Sequence, residues 1–160
     1  MSVEKVKNYL SQFGAADRVL VFEQSSATVE LAAGAVGCEP ARIAKTLSFD
    51  VNGQAVLVVT AGDVRIDNGK YKARFEAKSK MLTPDEAVSK VGFAVGGVCP
   101  FGVNEGVAIY LDESLKRFDT VYPSGGSDYS AIELSIPELE EYSKSSAWVD
   151  VTKPREFTGG

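Results

Sequence analysis

The chain contains no histidine at all, and this absence removes more chemistry than any other feature of its composition. Without an imidazole there is no Ser-His-Asp triad, no Cys-His dyad and no histidine general base. Any catalysis must rest on lysine, carboxylates, backbone dipoles or groups carried by the substrate. Cysteine is nearly absent too: Cys38 and Cys99 stand 61 residues apart, and no CxxC pair occurs. Neither a zinc site nor a disulfide scaffold is built that way, and no metal or other cofactor is expected. No apolar run approaches the roughly eighteen residues of a membrane span. The opening MSVEKVKNYLSQF is amphipathic and lacks the apolar stretch and cleavage site of a signal peptide, so a cytoplasmic protein with no membrane association is expected. Repeats, low-complexity tracts and internal linkers are also missing.

What is present suits one globular domain. The 160 residues are 44% hydrophobic, enough to bury a core. A single domain over residues 1–152 is expected, with a polar tail over 153–160. The net charge of −5 argues against a broad nonspecific surface for nucleic acid. The charge is uneven, however. Arg65, Lys70, Lys72, Arg74, Lys78 and Lys80 face only Asp67 and Glu76, a local balance of +4, while residues 101–160 carry 11 acidic and 5 basic residues. A small basic footprint on an acidic body fits a partner touching with one phosphate-bearing end; a solvated helix face gives the same pattern.

Periodicity predicts the elements. Val3, Val6, Tyr9, Leu10 and Phe13 recur at helical spacing and Gly14 follows, which gives a helix over 2–13. RVLVFE over 18–23 reads as a strand. Ser26 or Thr28 caps a second helix ending near Gly37. IAKTLSF over 43–49 and AVLVVT over 55–60 form a hairpin through Asn52-Gly53. Residues 67–77 are helical, and Thr83-Pro84-Asp85-Glu86 opens a helix that stops at Gly92. Strands at 94–95, 107–111, 120–122 and 131–134, a helix over 136–143, and Trp148 and Val149 packing back complete the order. Hairpins mixed with separated helices predict an α+β domain.

Two places invite chemistry. Lys45 interrupts an apolar strand on the face of Ile43, Leu47 and Phe49. An amine withdrawn from water wants an anion or carbonyl partner; a lysine whose stem packs at a sheet edge and whose head reaches solvent has the same sequence. The stretch Val95-Gly96-Gly97-Val98-Cys99-Pro100-Phe101-Gly102 holds three glycines and a proline that no core strand gains from. Its N–H groups can form a concavity for an oxyanion, and a tight turn or bulge uses the same residues. A nucleophilic Cys99 would need Lys45 or a helix N-terminus as its activator, whereas a small apolar filler or pocket wall needs neither. Gly125-Gly126, followed by Ser127, borders the same cleft or makes a plain turn.

Three segments taken together, Ala44-Lys45-Thr46-Leu47, then VGGVCPFG over 95–102, then Val121-Tyr122-Pro123-Ser124-Gly125-Gly126 with Ile132-Glu133-Leu134, resemble the YbaK/EbsC family. These are aminoacyl-tRNA editing domains related to the insertion domain of bacterial prolyl-tRNA synthetase, and the likeness runs from about residue 3 to 151. The resemblance implies a mixed, mostly antiparallel sheet with flanking helices. It also implies trans-acting hydrolysis of mischarged tRNA, typically tRNA for proline bearing a wrong small amino acid, with a prolyl-tRNA synthetase as a further partner.

The family lysine falls on Lys45, which would hold the terminal adenosine end. The G-x-x-x-P motif falls on Gly96 and Pro100, and the amides of Gly97, Val98 and Cys99 would bind the carbonyl oxygen. Phe22 and Thr46 would shape the aminoacyl pocket, Gly125, Gly126 and Ser127 would border the adenosine, and Arg65, Lys70, Lys72 and Arg74 would meet the acceptor stem. The sequence departs from the family at three points: Thr46 where the alanine-editing branch has Asn, Phe22 where cysteine-editing relatives have Tyr, and Ala131 where they have Asp. Other readings of the same pocket are a noncatalytic module that binds a nucleotide or tRNA end and a redox-responsive protein working through Cys99.

Overall fold

The computed structural model describes residues 2–155. Helix α1 spans Ser2–Leu10, tightens into a 3₁₀ turn over Ser11–Phe13 and stops at Gly14, whose φ of 71° suits glycine. Its apolar stripe buries Val6 and Leu10 completely. A second 3₁₀ turn, Ala16–Arg18, leads to strand β1, Val19–Val21. Helix α2, Val29–Val36, is capped by the Thr28 hydroxyl, which accepts the Leu31 N–H at 3.2 Å.

A turn over Pro40–Arg42 feeds β2, Ile43–Val51, which returns as β3, Gln54–Ala61. Asn52 and Gly53 both have positive φ, the signature of the two-residue turn that their sequence predicted. Strand β4, Val64–Ile66, precedes α3, Asn68–Phe75, capped by Asp67. Helix α4, Pro84–Glu86, opens with a full Thr83/Glu86 capping box and widens into one π turn, Ala87–Val91, before Gly92. Then come β5, Ala108–Asp112; β6, Thr120–Pro123; β7, Ser130–Ile132; β8, Leu134–Ser135; α5, Ile136–Ser143; β9, Ala147–Val149; and β10, Thr152–Pro154.

Six strands make the central sheet in the order β8-β6-β2-β3-β5-β9. The β2–β3 hairpin carries eight register pairs and runs antiparallel, whereas β6, β5 and β9 join by parallel pairings. Strands β1 with β7 and β10 with β4 form two small antiparallel ribbons. The fold is α+β, and with the ribbons counted four of the seven strand pairings among the described residues are antiparallel, the mixed, mostly antiparallel arrangement that was predicted. Strand β3 is buried along seven of its eight residues because the sheet is covered on both faces. Leu57 and Val59 face a cluster with α1, Phe93 and Phe101, while Val56 and Val58 face Phe49 and Tyr71. A continuous apolar run is what such a strand requires.

Three expectations are corrected. Ala94-Val95 forms no strand, because Gly96 turns the chain at a φ of 94° and the segment from 93 to 107 stays irregular. The strand expected over 131–134 divides at Glu133, β7 pairing with β1 and β8 with β6. The polar tail does not begin at Lys153: Thr152–Pro154 pairs with β4. Buried Asp112 draws that segment in, accepting the Val151 N–H at 2.9 Å and the Thr152 hydroxyl at 2.7 Å. The rest of the expected tail, 156–160, lies outside the described residues. No described helix is long and apolar enough to cross a membrane.

Candidate active site

The site is an interruption in the sheet. Strand β6 pairs with β2 only at Ile43 and Ala44. Farther along the same edge of β2, the segment around Met81 takes over: the Leu82 N–H donates to the Ser48 carbonyl at 3.0 Å, and the Asp50 N–H to the Lys80 carbonyl at 2.8 Å. Residues 45–47 between them have β3 on one side and a cavity of about 280 Å³ on the other. Thr28 and Val29 at the start of α2, Tyr122 and Ser124 at the end of β6, Ser130 and Ala131 of β7, and Val95, Gly96 and Val98 wall it. Met81 and Val95, 55% and 65% exposed, stand on its rim.

Alternation along β2 sends neighbouring side chains to opposite faces. Ile43 packs with α2, so Lys45 lies on that side; Ala44 belongs to the cluster on which Val98 packs, so Thr46 lies on the side of the glycine loop. The Lys45 ammonium donates to the Val64 carbonyl at 2.6 Å, and burial lowers its pKa, with Arg155 adding to the effect. It lines the cavity. Both sequence readings of Lys45 therefore describe part of it: the stem is packed and the head has a carbonyl partner.

The glycine loops explain each other. A Cβ on Gly97 would meet the Gly126 carbonyl oxygen and the Ser127 Cα at 2.7 Å, so the two loops touch backbone to backbone. A Cβ on Gly125 would meet the side chains of Ser130 and Val19 at 2.9 Å. The Ser127 and Ser130 hydroxyls lie 2.9 Å apart and tie the second loop together. Tyr122 is held by its hydroxyl donating to Glu133 at 2.8 Å and by the Arg42 guanidinium 5.3 Å from its ring centre.

Of the residues singled out in the sequence, Lys45, Thr46, Gly96 and Val98 meet at the cavity. Gly97 lines no part of it, and its N–H is taken by the Ala94 carbonyl at 3.0 Å, so it is no free oxyanion donor. The N–H groups of Val98 and Cys99 have no acceptor among the described residues. Gly125, Gly126 and Ser127 stand behind the wall that Ser124 and Ser130 present. Phe22 lies away from the cavity in a shallow surface depression with Glu23 and Gln24, held by its N–H to the Tyr129 carbonyl at 2.7 Å. Pro100 and Cys99 are buried. The Cys99 thiol is fully buried and points to the Phe101 carbonyl, and burial pushes its pKa up to about 12; both features disfavour the redox reading.

Sequence reasoning missed Met81 and the start of α2. Thr28 signalled a cap, and nothing in its neighbourhood signalled a cavity wall. Among the basic residues, Lys70 is tied to Asp150 at 3.0 Å and to the Thr152 carbonyl, and Arg74 lies over Phe75 and Tyr110. Lys72 and Lys78 share a shallow depression beside α3, and Arg65 is exposed on β4. No group of three or more potential metal ligands occurs among the described residues.

A family model for the aminoacyl-tRNA editing domain matches residues 23–142. The chain belongs to that family. It is 49% identical over 154 residues to the uncharacterized protein YwhH of Bacillus subtilis, covering 96% of this chain and 98% of that one. It is 33% identical over 90 residues to the proline–tRNA ligase of a Geobacillus species, a match spanning 56% of this chain and 16% of the ligase. A solved structure described as a candidate trans-editing enzyme for prolyl-tRNA synthetase superposes with a TM-score of 0.86 at 31% identity, over 95% of this chain and 97% of that one. The hypothetical protein APE2540 superposes at 0.82 with 29% identity, over 93% and 99% of the two chains.

Proposed function

We propose that the protein is a trans-acting deacylase that hydrolyses the ester of mischarged aminoacyl-tRNA, with tRNA for proline carrying a wrong small amino acid as its substrate and prolyl-tRNA synthetase as the enzyme whose errors it clears. The observation that carries this reading is the cavity at the open edge of β2, where Lys45 and the Gly96–Pro100 loop meet in a chain of the editing family. Lys45 draws the ester and terminal phosphate region into the cavity. The loop covers the opposite side and contributes the Val98 amide. Water is the attacking group: its oxygen bonds to the carbonyl carbon, the bond to the ribose oxygen breaks, and that oxygen leaves with a proton from the water. A cavity of about 280 Å³ admits a small aminoacyl group.

The test is release of free amino acid from tRNA for proline charged in turn with alanine, cysteine, serine and proline, by the wild type and by Lys45→Ala. Turnover of a mischarged species, lost in Lys45→Ala, is expected. Binding of all four without turnover would replace this reading with that of a noncatalytic tRNA-end-binding module.

A further inference from the structure

The β2 ladder determines which backbone groups face the cavity. In an antiparallel pair, residues alternate between exchanging both hydrogen bonds with the partner strand and turning both groups away from it. Ser48 and Asp50 turn theirs away from β3, because they bond the segment 80–82 on the other edge. Thr46, two residues before Ser48, has the same orientation. It lies past the end of the β6 pairing at Ala44 and before the first bond from Leu82. Its N–H and C=O thus face the cavity, and no described residue pairs with them. Residues 45–47 are half-buried at this edge, and backbone groups that line such a cavity are paired by whatever enters it, water or ligand.

One residue's worth of strand fits this vacancy. An aminoacyl group has the same two polar groups as a strand residue: an amino nitrogen that donates and a carbonyl oxygen that accepts. We propose that the aminoacyl group seats opposite Thr46 as a one-residue strand, its α-amino group donating to the Thr46 carbonyl and its ester carbonyl oxygen accepting the Thr46 N–H. This rests on the deacylase reading and deepens it. The seat recognises the main-chain atoms of the amino acid, so the substrate class is esters with a free α-amino group. The Thr46 N–H also supplies the oxyanion donor that Gly97 cannot, because it holds the oxygen on which charge develops when water attacks.

Binding is tested apart from turnover. Calorimetry compares 3′-alanylamino-3′-deoxyadenosine, which cannot be hydrolysed, with its 3′-propionylamino counterpart, which lacks the α-amino donor. At least tenfold tighter binding of the free amine is expected, and equal affinity overturns the seat. In parallel, Thr46→Pro and Thr46→Val are assayed on whichever aminoacyl-tRNA the wild type hydrolyses. Proline deletes the N–H without costing a ladder bond, and an outward-facing strand edge tolerates it; circular dichroism and the melting temperature establish that the variant is folded. A kcat for Thr46→Pro at least fiftyfold below that of Thr46→Val, with KM less affected, is expected, and equal kcat values in two folded variants overturn the oxyanion role. Preference for the free amine without turnover of any aminoacyl-tRNA would overturn the deacylase reading and leave the seat standing.

Discussion

Gly97 stands so close to the loop beyond β6 that a Cβ on it would lie 2.7 Å from both the Gly126 carbonyl oxygen and the Ser127 Cα. Both opposing atoms are backbone, so neither can move aside as a flexible side chain would. Gly97→Ala is therefore expected to push the two loops apart and to destabilise the protein by about 1–3 kcal/mol, the usual cost of overpacking. Gly34, inside α2, is the control: a Cβ there meets nothing within 4 Å. Gly34→Ala should stabilise by up to about 1 kcal/mol through helix propensity. Urea unfolding midpoints of the two variants should move in opposite directions.

The Thr46 hydroxyl gives a second prediction. It is buried and has no hydrogen-bond partner among the described residues, which carries a desolvation penalty of about 1–3 kcal/mol. Thr46→Val replaces it with a methyl of the same shape. The variant should melt higher than the wild type, and an unchanged or lower melting temperature would mean that the hydroxyl is satisfied by water.

How much of this was legible in the sequence depended on whether a feature is local. Asn52-Gly53 specifies its own turn, the Thr83 capping box its own helix start, and AVLVVT a strand covered on both faces. The glycines at 96–97 and 125–126 were legible as places where backbone is needed. That they need each other was not, because the two loops stand 28 residues apart in the chain. The cavity is a vacancy created by where β6 stops against β2, and no residue encodes a vacancy. Phe22 misled for a related reason: its chemistry suits a pocket wall, but β1 pairs with β7 and leaves it outside. Cys99 sits in the right loop, yet its side chain faces the core, packed in the same cluster as Phe93 and Phe101.

Thiol chemistry should therefore separate the two cysteines. Cys99 is fully buried and its pKa is raised to about 12, whereas Cys38 is half-buried. Since the thiolate is the reacting species, iodoacetamide at mildly alkaline pH should label Cys38 first and leave Cys99 unmodified until denaturant is added. Peptide mass mapping reads the order, and rapid labelling of Cys99 in the native protein would revive its use as a reactive group.

The basic cluster is divided by its surroundings. Lys70 is held by Asp150 and the Thr152 carbonyl, while Lys72 has no such ties among the described residues. If acceptor-stem phosphates dock beside α3, Lys72→Glu should weaken tRNA binding and flatten the salt dependence of log K by roughly one unit for each phosphate that the variant no longer neutralises. Unchanged affinity over a salt series would remove this face from the tRNA path and leave the cluster as a solvated helix surface.

Acid stability should depend on Glu138. Arg18 bonds its carboxylate through two nitrogens, at 2.6 and 3.1 Å, and the Ser135 N–H donates to it at 2.9 Å, closing the capping box of α5. The Arg18 guanidinium, with the Ser135 amide second, holds the carboxyl down at about 2 against an ordinary 4.5. A carboxyl whose pKa is lower in the folded than in the unfolded chain contributes stability fully above the unfolded value, and the contribution is lost as pH falls from there through the folded one. The window is thus from about pH 4.5 down to about 2. Both side chains are about a third exposed, so solvent screening discounts the pair to about 1 kcal/mol. Glu138→Gln should lower stability by that amount at neutral pH and flatten the acid limb of the stability curve across this window. Parallel acid limbs for the two proteins would show that the Arg18 pair contributes nothing to the fold.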